Sequence, residues 1–267
     1  MSIVILLGGQ SEHGNPEHRY LASRFLEHFD DRVSQIITVK PQKRTFTTRL
    51  KRMAKRGNFR ERIARALYKG GYGPCADELR KLLLPDETEP KMPSTDKVSI
   101  VSSHNSDACR DIIKKHAPQI IVVYGTAIIH EPTFSLASKI TLNMHTGLSP
   151  YYRGDSTLFW PVHDDNPSQL GVTVHELVQS VDGGDIAATA RVHYERGDSE
   201  ANLFAKGVAA GTDLYIQAVE QAINNELQLQ SQDLSLGQEF SWRHRTVAAE
   251  RKVLKQLDHW AKGGDDK

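Results

Sequence analysis

The chain has 267 residues, 39% hydrophobic and 25% charged, the make-up of a folded globular protein with one large domain or one domain plus an extension. Its apolar runs are far shorter than the ~20 residues of a membrane helix, the N-terminus lacks the features of a secretory signal, and two cysteines suit neither a disulfide framework nor a cysteine zinc site, so a cytoplasmic protein without a metal is expected. The formal net charge of +1 conceals an asymmetry: between Lys40 and Lys69 twelve basic residues are interrupted only by Glu61, so this segment carries +11 and the rest of the chain −10.

Ser2–Leu7 reads as a buried strand ending in Gly8-Gly9. A helix starts near Pro16 with Asn15 as its cap and Leu21, Phe25 and Phe29 on one face. Ile36–Val39 is a second strand. The basic segment holds two helical stretches, Thr47–Arg56 and Asn58–Tyr68, split by Gly57. Leu50, Met53 and Ala54 share a face in the first, and Phe59, Ile63 and Leu67 in the second. A short helix covers Cys75–Leu84, a strand Val98–Val101 and a helix Ser106–His116, whose last turn Lys114-Lys115-His116 suits the helix dipole. Ile120–Tyr124 is wholly apolar and rich in β-branched residues, the pattern of a central parallel strand. A helical turn at Glu131–Ala137 and a strand at Ile140–His145 follow.

Beyond this the order changes. Asp155–Asp164 reads as a helix, Leu170–Leu177 and Ala187–Tyr194 as a strand pair, Ser199–Asn225 as a long capped helix and Val247–Trp260 as a last one. Alternating strands and helices imply a parallel α/β sheet, and the late pair an added antiparallel edge. The domain expectation is a body over 1–225, with a basic helical insertion at 41–70 and a short extension over 226–267.

In such sheets ligands bind beyond the carboxyl ends of the strands. Gly8-Gly9 either lets a phosphate approach the backbone or makes a tight turn. Gly125-Thr126-Ala127 could present its backbone to a planar heterocycle, or simply turn. Asn143 and His145 are two apart on one strand and project together. An amide can donate to a developing oxyanion and a histidine can exchange protons near neutrality; a satisfied polar pair at the strand's edge is the plain alternative. Asp182, before Gly183-Gly184, is in isolation a turn aspartate. His163, His175, His104 and His130 read as core or surface residues. The basic helices fit an anionic ligand, nucleic acid or a solvated face, with too few aromatics to argue base stacking.

The stretch Asn143-Met144-His145-Thr146-Gly147-Leu148-Ser149-Pro150-Tyr151-Tyr152-Arg153-Gly154 resembles the N-x-H-x-S-L-L-P-x-Y-R-G motif of the folate-dependent formyltransferases. That family includes glycinamide ribonucleotide transformylase, the catalytic domain of methionyl-tRNA formyltransferase and the sugar N-formyltransferases. Gly171–His175 is similar to the family's G-V-T-V-H strand, Val181–Ile186 to its D-x-G-x-I loop, and Ile120–Ile129 to the strand and loop lining the pterin site. The chain departs from the pattern at Gly147, where serine is usual, and at Ser149, where leucine is usual. Its first 118 residues match poorly.

The resemblance implies a Rossmann-like formyltransferase fold, 10-formyltetrahydrofolate as co-substrate and catalytic roles for Asn143, His145 and Asp182. It implies cofactor-side contacts from Gly125, Thr126, Ala127, Ile128, Ile129, Val181 and Asp185. Acceptor-side contacts are expected from Gly8, Gly9, Tyr151, Tyr152, Arg153 and Gly154. The expected acceptor is a primary amine on a small molecule, foremost a nucleotide-linked amino sugar, with glycinamide ribonucleotide as the alternative. A formyltetrahydrofolate hydrolase, or an inactive folate- or RNA-binding module, are the alternatives of another class. No membrane or nucleic-acid partner is expected, and a homodimer is left open.

Overall fold

The computed structural model describes residues 1–9, 14–40, 59–68, 70, 73–93 and 95–263. The strands among them are β1 (Ile3–Leu7), β2 (Val33–Val39), β3 (Val98–Val101), β4 (Ile120–Tyr124), β5 (Ile140–His145), β6 (Tyr152–Gly154), β7 (Gly171–Glu176), β8 (Ile186–Arg191) and β9 (Gln238–Phe240). The helices are α1 (Pro16–Phe29), α2 (Phe59–Leu67), α3 (Ala76–Leu83), α4 (Asp107–His116), α5 (Glu131–Phe134), α6 (Phe159–His163), α7 (Glu200–Asn224) and α8 (Val247–Ala261).

Seven strands form the main sheet in the order β3-β2-β1-β4-β5-β7-β8. It is parallel from β3 to β5, and β7 and β8 join antiparallel. β1 and β4 are buried along their whole length, so they carry Ile, Val and Leu on both faces. Alternate residues feed two cores. Ile3, Ile5, Leu7, Val122 and Met144 pack against α1, α3 and α7, with Leu21, Phe25 and Phe29 of α1 among them. Val4, Leu6, Ile121 and Val123 pack on the opposite face against α4 through Cys109 and Ile113.

The helix ends follow local chemistry. Ser199 and Asn202 form a reciprocal capping box that starts α7, and Asn225 closes it with φ +63°. Asn15 stands at the N-cap of α1, but its side chain bonds Glu17 rather than the helix backbone. The hydroxyl of Tyr215 on α7 enters the sheet between β4 and β5. It accepts from the Val123 N–H at 2.8 Å and donates to the Leu142 carbonyl at 2.5 Å.

A third core joins Phe159, Trp160 and Val162 to Phe240, Val253, Leu257 and Trp260. The short parallel pair β6–β9 ties residues 152–154 to residues 238–240, so the extension packs directly onto the segment that follows β5. Trp160 stacks on Phe240 at 4.4 Å, and Phe240 on Tyr152 at 5.9 Å.

The structure departs from the sequence reading in several places; β2 starts at Val33 rather than Ile36, and β8 ends at Arg191 rather than Tyr194. The helix expected over Asp155–Asp164 begins only at Phe159, because Gly154 and Ser156 take positive φ (+91° and +59°) that a helix cannot continue. The turn at Glu131 closes at Phe134 rather than Ala137. In α2 the apolar face is not the buried one: Ile63 and Leu67 are exposed, and Glu61 and Arg65 face α8 instead. β6 and β9 were not anticipated. The helix expected over Thr47–Arg56 lies outside the described residues. Among the described residues Cys75 and Cys109 are free thiols, and no helix is long and apolar enough to cross a membrane.

Candidate active site

The strand ends of β4 and β5 open into a cleft of about 1210 Å³. Asn143 and His145 share one face of β5 and line this cleft together with Asp182, Val181, Gly154 and the backbone run Gly125–Ile129. The antiparallel register of β5 and β7 sets Asn143 opposite His175. The loop after β7 then carries Asp182 back beneath both histidines.

Asp182 Oδ2 lies 3.2 Å from His145 Nδ1, and its Oδ1 lies 3.4 Å from His175 Nε2. His145 donates from Nε2 to the Tyr152 carbonyl at 2.8 Å, and His175 donates from Nδ1 to the Glu176 carbonyl at 2.8 Å. A carbonyl oxygen only accepts, so those nitrogens carry protons. The carboxylate is left facing the remaining nitrogen of each ring. Asn143 Nδ2 donates to His175 Nε2 at 3.1 Å, and its second N–H has no partner among the described residues.

Burial works against the charge on Asp182. The two facing histidines and the Gly154 N–H at 2.8 Å outweigh it and hold the carboxyl well below the ordinary carboxylate range. The Asp182 backbone is itself unusual, with φ +45°, a conformation few non-glycine residues adopt. Gln232 holds it there by donating to the carbonyls of Asp182 and Gly184. The turn after β5 is pinned by Thr173, which accepts from the Ser149 N–H at 3.0 Å and donates to the Gly147 carbonyl at 2.8 Å.

The departure at Gly147 has a steric cause. A Cβ there would stand 2.4 Å from His145 Nε2 and 2.6 Å from Thr157 Oγ1. Thr157 is buried and donates to the Thr146 carbonyl at 2.6 Å, so its side chain takes up the room beside the imidazole that a serine at 147 would need.

The other expected site residues are placed differently. Gly8 and Gly9 pack against the backbone of Gly125 and Val39, where a Cβ would meet carbonyl oxygens at 2.0 and 1.8 Å. They serve the close approach of neighbouring chain segments and do not line the cleft. Tyr151 is exposed away from it. Tyr152 sits in the third core with its hydroxyl toward Asp164. Arg153 reaches the carbonyls of Val181 and Leu234 and so braces the Asp182 loop, and Asp185 meets β7 through its backbone.

Three residues in or directly behind the cleft went unrecognised as such in the sequence. His175 is a core residue by burial, yet it touches both Asn143 and Asp182. His18 is buried beside Gly125, and burial lowers its pKa. Arg245, from the extension, lies 4.1 Å over the Phe159 ring and pairs with Glu250 and Glu200. Among the described residues no group of three or more His, Cys, Asp or Glu could hold a metal ion.

A family model described as formyl transferase matches residues 79–219, more than half of the chain, and the chain belongs to that family. A methionyl-tRNA formyltransferase of Lacticaseibacillus casei is 32% identical over 108 residues, 40% of this chain and 34% of that protein. Another, from Desulfotalea psychrophila, is 25% identical over 167 residues, 58% and 51% of the two chains. The chain thus spans a third to a half of the length of these curated relatives. Among solved structures, an N-formyltransferase from Helicobacter canadensis in complex with folinic acid and dTDP-3-aminofucose aligns over 96% of this chain and 81% of its own, with TM-score 0.59 and 14% identity. A 4-N formyltransferase from Francisella tularensis aligns over 90% and 76%, with TM-score 0.55 and 16% identity. At such identities the likeness shows the fold, an α/β formyltransferase fold with a mostly parallel sheet and an antiparallel edge.

Proposed function

We propose that this chain transfers a formyl group from 10-formyltetrahydrofolate to a primary amine of a small molecule, with a nucleotide-linked amino sugar as the acceptor class. The observation that carries this is the meeting of Asn143, His145 and Asp182 at the end of β5, beside the Gly125–Ile129 backbone, in one open cleft. The peptide N–H and C=O groups of that run, and of Val181, suit the donor–acceptor edge of a pterin.

The neutral amine attacks the formyl carbon, a C–N bond forms and the carbonyl oxygen becomes an oxyanion. The spare N–H of Asn143 donates to it; one such donor is worth about 3–4 kcal/mol in the barrier. His145 takes the proton the amine gives up at Nδ1, the ring nitrogen that the Tyr152 bond leaves unprotonated, and returns it to the departing folate nitrogen as the C–N bond to folate breaks. Asp182 stabilises the imidazolium formed in between, because it already lies against Nδ1 as a carboxylate. A structural neighbour that holds a folate together with an amino-sugar nucleotide supports the acceptor class.

Incubating the protein with 10-formyltetrahydrofolate and a panel of amino-sugar nucleotides, glycinamide ribonucleotide and simple amines tests this, with products read by mass. A formylated amino-sugar nucleotide is expected. Release of formate to water with no amine formylated would replace the transferase reading by a hydrolase.

A further inference from the structure

Next to the cleft, a smaller cavity of about 390 Å³ lies between α2 and the start of α8. Its wall carries Arg60, Arg65, Arg243 and Arg251, one acid, Glu61, and the indole of Trp242. The acid is already engaged. Glu61 accepts from the Val247 N–H at 3.1 Å and pairs with Arg65 Nε at 2.8 Å. Arg60, Arg243 and Arg251 have no carboxylate partner among the described residues, and Arg243 lies 5.6 Å from the centre of the Trp242 ring. Guanidinium groups gathered around one cavity repel each other until an anion sits among them. Their planar forks match phosphate oxygens two at a time. The first turn of α8, with Ala248 on the cavity wall, adds the partial positive charge of a helix N-terminus.

Arg65 and Trp242 line this cavity and the active cleft alike, so the two spaces adjoin. Neither α2 nor the segment 242–251 falls within the residues matched by the formyl transferase family model. The cavity is therefore built from residues outside the matched part of the chain.

We propose that this cavity is the subsite for the diphosphate of a nucleoside diphosphate-linked acceptor. Arg60, Arg243 and Arg251 hold the phosphates, and Trp242 stacks the base or sugar that leads to the cleft. The proposal rests on the transfer reading above and deepens it, because it assigns the acceptor's anionic handle to named residues of the insertion and the extension. Arg60 of the positive segment then helps select a small charged substrate. A site for nucleic acid would need to neutralise many phosphates along a groove, and the three arginines around this cavity of about 390 Å³ suit two.

Calorimetric titration of the full chain with UDP, with inorganic pyrophosphate and with folinic acid tests the proposal, using R243Q/R251Q and W242A. The two arginines are exposed, so the double variant should keep its thermal midpoint. It should lose about tenfold or more in affinity for UDP and for pyrophosphate while binding folinic acid as before. W242A should weaken UDP and leave pyrophosphate unchanged. UDP affinity in the double variant within about twofold of the parent, or no UDP binding by the parent, would overturn the subsite. So would an RNA hairpin bound through the same arginines with a steep salt dependence, about 10³-fold between 50 and 200 mM salt. Failure of the parent to bind folinic acid counts against formyl transfer alone; arginine-dependent binding of UDP supports the subsite in either case.

Discussion

Gly147→Ala is the most direct test of how the imidazole is held. The added methyl would lie 2.4 Å from His145 Nε2 and 2.5 Å from Thr157 Cβ, whereas ordinary contact begins near 3.4 Å. About 1 Å of movement is therefore forced on the ring or on Thr157. Thr157 is tied to the Thr146 carbonyl and is buried, so the ring yields and its bond to the Tyr152 carbonyl stretches. Overpacking of this kind costs about 1–3 kcal/mol. For a chain of this size that lowers the melting midpoint by roughly 2–4 °C for each kcal/mol. A 1 Å misplacement of a reacting group costs about 10²-fold in turnover. The assay is release of tetrahydrofolate in the presence of the amine found above, alongside thermal melts and binding of folinic acid. Turnover should fall about a hundredfold with folate affinity nearly intact. A variant with turnover within about threefold of the parent and an unchanged midpoint would refute the steric argument.

Three further outcomes are expected. Tyr215→Phe strands the buried Val123 N–H and should cost about 1–3 kcal/mol in urea unfolding with the slope unchanged; a loss below about 0.5 kcal/mol would show that the ladder closes without the hydroxyl. Because the native pKa of Asp182 is depressed, its stabilisation is complete above the unfolded carboxylate value of about 4, and it is lost as pH falls below that toward the native value. Asp182→Asn should therefore flatten the stability–pH curve on the acid side, and an unaltered slope there would remove Asp182 from the account. Arg245→Met leaves Glu200 and Glu250 facing each other without a cation, and denaturant unfolding at neutral pH should show a loss of about 3–5 kcal/mol. Burial already raises the Glu200 pKa, so part of that loss should be recovered on acidification.

The main sheet was legible because its strands are continuous apolar runs of the right length, and β3, β4 and β5 fall where hydrophobicity places them. Asn143 and His145 were legible because they break such a run at its end. The part His175 plays was not, since the resemblance of Gly171–His175 to a family strand says nothing of what its imidazole touches. Its importance comes from the antiparallel register opposite Asn143, and register is a tertiary property. β6 and β9 are three residues each and stand 86 residues apart at their starts, so no periodicity announces their pairing. Arg245 carries no motif, and Glu200 and Glu250, brought from two helices, make its burial tolerable. The steric need for Gly147 was equally hidden, because Thr157 lies ten residues on in a turn with a left-handed Ser156.

The β6–β9 pairing also sets the order in which this molecule can be completed. Gly154 gives its N–H to Asp182, and it passes so near the Phe240 carbonyl that a Cβ would meet that oxygen at 2.1 Å. The donor that orients Asp182 is thus clamped by residues that leave the ribosome nearly a hundred positions after His145. A nascent chain that has built the whole sheet still lacks this clamp. In synthesis from the N-terminus, the Asp182 carboxylate acquires its geometry only when β9 has emerged and docked.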